Sequence, residues 1–310
     1  MNASFSVSRR GFIRTAALAA LAPAIPAALA DVEDGWIDAH VHVWTPDTQR
    51  YPLASGFQQD DMKPTSFTPE ELFSQCKPEN VTRVVLIQMS FYQFDNGYMM
   101  DMIAKHRGVF SGVAILNEER GDVREPMKAL AARGVRGFRL FTTKANAEGW
   151  LDSEGMKKMW TFAADNGLAM CLLADPDALP AVERMCRAFP RTRVVIDHFA
   201  RIGMKGPVDQ ADLDNLCRLS TFEEMYVKTS AFYALGEKKA PYTDLGPMIQ
   251  KLRDTFGARR LMWASDCPFQ VQDGHTYVDS ISLIRNRLDF LTPEDQLWML
   301  RKTAEKVFFA

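Results

Sequence analysis

Several common roles are excluded by what this sequence has little of. It holds five cysteines, Cys76, Cys171, Cys186, Cys217 and Cys267, an odd number at wide spacing with no Cys-x-x-Cys pair. That pattern argues against both a disulfide framework and a zinc ribbon. There is no basic excess either: 37 Lys and Arg face 39 Asp and Glu, for a net charge of −2. Arg9, Arg10 and Arg14 sit in an acid-free leading segment, so the remainder is more acidic still. Such a surface does not track a phosphate backbone, and nucleic acid is not an expected partner. No Gly-rich phosphate loop follows the first apolar run, where His40-Val41-His42-Val43-Trp44 stands instead. Past the leader no stretch has the ~20 apolar residues a membrane span needs, so no stable anchor is expected. What is present, 47% apolar and 25% charged residues over 310 positions, suits a folded domain of barrel size.

The leader has its own pattern. Ser8-Arg9-Arg10-Gly11-Phe12-Ile13-Arg14 precedes a short Ala/Leu stretch, and Ala28-Leu29-Ala30 offers a small-x-small cleavage site. Adjacent arginines followed by Gly-Phe-Ile resemble a bacterial twin-arginine export signal. The expectation is a signal over residues 1–30, read by the twin-arginine export machinery, and a working domain over 31–310 in the periplasm or outside the cell. That route carries proteins already folded, often with a cofactor, which suits a chain without disulfides.

Beyond the leader, short β-branched runs alternate with helical patterns. Eight runs read as strands: 36–40, 83–88, 110–116, 135–141, 168–173, 192–198, 225–230 and 260–266. Near-continuous apolar runs are what strands buried on both faces require. Helices are expected over 122–133, stopped by Gly134, over 153–166 with Ser153 as cap, and over 293–307 after Thr292. Eight strands alternating with helices predict an α/β fold, a closed (β/α)8 TIM-type barrel. The competing open sheet would place a phosphate loop after its first strand.

Barrels of this kind build their sites at the carboxyl ends of the strands. His40 and His42 end the first strand two residues apart, so both side chains leave the same side of the ribbon. His198 ends the sixth strand, and Asp266 ends the eighth, which neighbours the first in a closed barrel. Imidazoles and a carboxylate around one point suit zinc or a similar divalent ion. Each residue also has a plainer reading: a packed His-x-His pair, a hydrogen-bonded His198, Asp266 as a helix cap. Arg139 and Arg201 are candidates to grip a substrate carboxylate, and Lys228 to polarise a carbonyl or pair with a carboxylate; the plainer reading of each is an ion pair with a neighbouring acid. Gln88 and Tyr233 offer polar contacts near strand ends. Cys171 could be a soft ligand on the fifth strand, although buried cysteines are more often inert.

Asp38-Ala39-His40-Val41-His42-Val43-Trp44, Val195-Ile196-Asp197-His198-Phe199 and Trp263-Ala264-Ser265-Asp266-Cys267-Pro268 resemble signatures of the amidohydrolase superfamily. More narrowly they resemble its amidohydrolase-related branch of 2-pyrone-4,6-dicarboxylate and sugar lactonases, with Tyr51-Pro52-Leu53 and Val227-Lys228-Thr229-Ser230 extending the likeness. The resemblance implies a barrel with His40, His42, His198 and Asp266 at the reacting centre, Asp266 taking a proton from the attacking water. The fourth and fifth strands lack the lysine or glutamate and the histidine of two-metal members, which implies one divalent metal, zinc or else manganese, or none. The expected activity is opening of a lactone of an acidic or sugar-derived small molecule. Alternatives are a metal-dependent decarboxylase of aromatic acids and a periplasmic barrel that binds a ligand without turnover. Apolar patches on the barrel helices could support a homodimer.

Overall fold

The computed structural model describes Met1 and residues 35–119 and 121–310, so the expected signal over residues 1–30 lies outside them apart from Met1. All eight strands form: β1 (Trp36–Val41), β2 (Val81–Ile87), β3 (Phe110–Ala114), β4 (Val135–Thr142), β5 (Ala169–Ala174), β6 (Arg193–Ile196), β7 (Met225–Thr229) and β8 (Leu261–Trp263). They pair in parallel in sequence order, and an isolated parallel bridge from Val41 to Cys267 joins β1 to the chain beyond β8. The result is the expected (β/α)8 barrel.

Helices follow each strand: α1 (Pro69–Cys76), α2 (Gly97–Lys105), α3 (Arg124–Ala131), α4 (Lys144–Ala147), α5 (Glu154–Asp165), α6 (Leu179–Ala188), α7 (Gln210–Arg218) and α8 (Gly246–Phe256). After β8 come α9 (Tyr277–Asn286), α10 (Pro293–Leu297) and α11 (Thr303–Phe308). Their starts are written locally. Thr68 and Glu71 make a reciprocal capping box on α1, with Pro69 at the first helical position. Ser153 accepts from the Met156 N–H on α5. The helix expected over 293–307 forms as one continuous helical run, α10 and α11 being joined by a wider π-type turn at Trp298–Lys302.

The core has two layers. Outward-facing strand residues pack against the helices, while Ile37, Ala39, Val85, Val113, Val195, Tyr226 and Met262 fill the barrel itself. Ala304, Val307 and Phe308 of α11 join this inner cluster, and Arg83 near the start of β2 pairs with Glu305 at 2.7 Å. The carboxy-terminal helix therefore plugs the amino-terminal end of the barrel. The opposite end is left for chemistry.

Candidate active site

Strict alternation along β1 would turn His40 away from the barrel, since Ile37 and Ala39 already face inward. A bulge prevents this. Asp38 pairs with Val84 and Val41 with Leu86, so three residues of β1 advance against two of β2. The extra residue turns His40 inward beside His42, the re-aiming that bulges perform near active sites. Asp38 faces the other way, into the helix layer, and accepts from the N–H groups of His40 (3.2 Å) and Ser265 (2.9 Å) and from the Tyr277 hydroxyl (2.8 Å). It ties β1 to the segment after β8 where ladder bonds are scarce. Burial pushes its carboxyl up to about 6, against those three donors.

Asp266 lies beyond β8 with a φ of 64°, a left-handed conformation that aspartate tolerates better than most residues. Its N–H donates to the His40 carbonyl at 2.9 Å. Oδ2 accepts from the Tyr233 hydroxyl at 2.8 Å, whereas buried Oδ1 has no hydrogen-bond partner among the described residues. Around Oδ1 stand the Nε2 atoms of His42 (3.4 Å), His40 (3.5 Å) and His198 (3.8 Å). Burial alone would raise the Asp266 carboxyl, but His198 and then the other two imidazoles outweigh it and hold the group well below the usual carboxylate range. Tyr233 is driven the opposite way, by burial and by the Asp266 charge, so it stays a phenol and a donor.

His198 opens a turn of four consecutive left-handed residues, His198 to Arg201, with φ between 52° and 59°. Non-glycine residues resist this conformation by about 1–2 kcal/mol each, and it persists where the surroundings over-determine it. Here Phe199 and Ala200 are fully buried, and the Ala200 N–H closes onto the Asp197 carbonyl at 3.0 Å. The turn ends β6 two residues earlier than its apolar pattern suggests and aims His198 into the barrel mouth. Ser230 Oγ meets His198 Nδ1 at 2.8 Å. Burial lowers the His198 imidazole from its ordinary value, and lowers His40 further, with the Lys228 ammonium adding to the effect there.

One donor atom each from His40, His198 and Asp266 lies within 4.8 Å of the others, a set that fits one metal ion, with His42 beside it. A tetrahedral site with bonds of about 2.0–2.2 Å has edges of about 3.3–3.6 Å. Here His40 and His42 Nε2 are 3.2 Å apart, and Asp266 Oδ1 lies 3.4–3.8 Å from the three imidazoles. His42 Nδ1 faces the Ile87 carbonyl at 2.9 Å, which can only accept, so that ring presents a bare Nε2 to the centre.

Residues 37–310 match the family described as Amidohydrolase. The chain belongs to the amidohydrolase family. Among characterised relatives, an L-fucono-1,5-lactonase of Burkholderia ambifaria is 27% identical over 77% of this chain and 82% of its own. A 4-sulfomuconolactone hydrolase of Rhizobium radiobacter is 26% identical over 78% of each. An amidohydrolase of Burkholderia multivorans solved with bound zinc shares the fold, at a TM-score of 0.71 and 16% identity over 88% of this chain and 99% of that one.

This amidohydrolase uses its other candidate residues unequally. Arg139 on β4 is 6% exposed, and among the described residues its guanidinium has neither an ion pair nor a hydrogen bond. It lies over the Phe141 ring, 5.4 Å away, and close enough to Asp197 and His198 for its charge to act on both. Arg201 follows its plainer reading and is paired with Asp175 at 2.5 Å. Gln88 is also redirected: its amide donates to the carbonyls of Asp95 (2.6 Å) and Gln93 (3.3 Å), pinning the loop after β2. Of the two roles open to Lys228, the structure shows the carboxylate pair: it lies completely buried beneath His40 and forms an ion pair with Asp197 at 3.0 Å. Cys171 is enclosed in the barrel, where burial pushes its thiol up to about 12, and it is not among the residues that gather as a metal-compatible group, His40, His198 and Asp266.

Two residues near the site were not singled out from the sequence, Asp38 and Asp197. The signal was present, since an acid inside a strand buried on both faces needs partners. What the sequence could not supply was the identity of those partners.

Proposed function

We propose that this amidohydrolase opens the ring of a lactone carrying a carboxylate or derived from a sugar. The observation that carries the reading is the bare Oδ1 of Asp266, buried, ionised and surrounded by three imidazole nitrogens. An acceptor held in that state suits the removal of a proton from water. Tyr233 occupies Oδ2, so a single oxygen of the carboxylate is left for the task. Both lactone-hydrolysing relatives support the substrate class.

In this scheme a carboxylate of the substrate docks on Arg139, whose planar fork binds that group in bidentate fashion. The lactone carbonyl then faces the imidazoles. Water adds to the carbonyl carbon as Asp266 Oδ1 takes its proton. The ester C–O bond breaks, and the same proton passes to the departing ring oxygen. His40, His42, His198 and Asp266 would hold the divalent ion, with zinc the first choice for this donor set and manganese the second. When bound, such an ion would polarise the carbonyl and acidify the water.

The test is a ring-opening screen of the full chain over acidic and sugar-derived lactones, read by acid release. Turnover that disappears in Asp266→Asn is expected. Release of carbon dioxide from aromatic acids with no lactone opened would make the protein a decarboxylase. Ligands that elute unchanged would make it a binding barrel.

The leader read over residues 1–30 supports a proposed periplasmic location reached through the twin-arginine machinery. Retention of the full chain in the cytoplasm after Arg9→Lys/Arg10→Lys substitution is the expected result. The proposed homodimer is checked by sedimentation.

A further inference from the structure

Lys228 and Asp197 take no part in the proposed hydrolysis, yet both are completely buried. Placing an ion pair in a protein interior carries a large desolvation penalty that attraction must repay, so its surroundings are informative. The Lys228 ammonium has three neighbours: Asp197 Oδ1 at 3.0 Å, His40 Nδ1 at 3.2 Å and the Phe308 ring with its centre 5.4 Å away.

An ammonium offers hydrogens and no lone pair. Its contact with His40 is therefore a hydrogen bond when Nδ1 is bare, which puts the hydrogen of a neutral His40 on Nε2. The same assignment follows independently from the other end of the pair. The Ile87 carbonyl requires the hydrogen of His42 on Nδ1, leaving its Nε2 bare. The 3.2 Å contact between the two Nε2 atoms then needs a donor, and His40 supplies it. One directed chain results: Lys228 donates to His40, His40 to His42, and His42 to the Ile87 carbonyl.

A metal ligand has to present a bare nitrogen. His42 does so, and His198 can, because the Ser230 hydroxyl accepts as readily as it donates. His40 does not. Asp197 Oδ1 lies 3.5 Å from His40 Nδ1, and without the lysine it would be the natural acceptor for an Nδ1 hydrogen. That carboxylate–histidine arrangement is the one that supports metal binding through Nε2. Lys228 stands closer and opposes it.

We infer that Lys228 is a positioning residue that keeps the His40 hydrogen on Nε2, where it donates to His42 until a substrate carbonyl takes it over, and that it weakens the site's hold on a divalent ion. The inference rests on the hydrolytic reading of this site for the donor's target, but its tests read hydrogen position and metal affinity without turnover.

The first test uses the wild-type full chain, stripped of metal by a chelator and labelled with ¹⁵N-histidine. Long-range ¹H–¹⁵N spectra, assigned with His40→Gln and His42→Gln, should show His40 bare at Nδ1 and His42 bare at Nε2. A hydrogen on His40 Nδ1 overturns the inference. The second is zinc competition against a chromophoric chelator. Lys228→Met should bind zinc about 10–100-fold more tightly than wild type, the range over which groups behind a metal ligand act. Equal or weaker binding overturns the inference. If no lactone is opened yet both readouts come out as expected, the hydrolytic reading fails and the assignment of His40 stands.

Discussion

Between β4 and β5, six consecutive residue pairs run in unbroken register, from Gly137 with Ala169 to Thr142 with Ala174. On the other side of the barrel, β8 has three residues and meets β1 through the Val41–Cys267 bridge and two backbone bonds, His42 N–H to Cys267 and Asp266 N–H to His40. The Asp38 carboxylate does there what a ladder does elsewhere. The regular side contributes Arg139 and an inert thiol, while the seam contributes His40, His42 and Asp266. A ladder holds side chains at strict alternation. Groups that must meet at one atom need a bulge or a left-handed residue to leave that alternation, and the seam has both.

This contrast is broken most directly at Asp266. Asp266→Asn keeps the shape and removes the acceptor, so kcat/KM should fall about 10²–10⁴-fold with little change in thermal midpoint. A variant with full activity would show that the seam does not carry the chemistry. Asp38→Ala tests the seam as a structure. It strands two buried N–H groups and the Tyr277 hydroxyl, and should cost about 3–5 kcal/mol in urea titration. A loss under 1 kcal/mol would mean the seam is held by something else.

The regular side should respond differently. Arg139→Met should raise KM about 10–100-fold for a lactone with a carboxylate, the worth of a charged hydrogen bond. An uncharged lactone should be indifferent to the change, and an equal effect on both would remove Arg139 as the carboxylate site. Gly137→Ala acts on packing alone: a Cβ there meets the Ala169 carbonyl at 3.0 Å and Cys171 Sγ at 3.1 Å. It should destabilise by about 1–3 kcal/mol and leave kcat per folded molecule unchanged. A drop in kcat would show that the ladder does more than support the site.

The same contrast separates what could be read in the sequence from what could not. Strands such as Val135–Thr142 announce themselves, because burial on both faces leaves an apolar run that no surface element tolerates. The gathering of His40, His42, His198 and Asp266 follows from strand ends in a closed barrel, a topological matter. The β1 bulge is not legible, since it exists only as a register between two strands distant in sequence. Lys228 and Arg139 look alike as basic residues in apolar strands, yet one pairs with Asp197 at 3.0 Å and the other forms no ion pair among the described residues, acting on Asp197 only from a distance. Arg201 meets Asp175 at the end of a left-handed turn, and a run of four such residues without glycine has no sequence signature, so the acid it pairs with could not be named in advance.

Acid gives the mildest perturbation and resolves the seam into parts. Burial holds His40 and His198 below their ordinary value of 6.5, so both rings are mainly neutral there and kcat/KM should be within about twofold of its plateau at pH 6.5. The loss should come below that pH, and an acid limb centred above it would contradict neutral imidazoles at the centre. Stability carries two signs in the same window. The unfolded histidines take protons that the buried rings refuse, so their contribution is full above pH 6.5 and is lost as pH falls. Asp38 acts oppositely: raised to about 6 from 3.8, it binds a proton in the native state first, which stabilises the fold as pH falls between those values. The thermal midpoint of wild type should therefore fall less steeply than that of Asp38→Ala between pH 6 and 4, while Cys171→Ala, on the regular side, should run parallel to wild type. Parallel curves for Asp38→Ala and wild type would mean that the seam carboxylate does not titrate with folding.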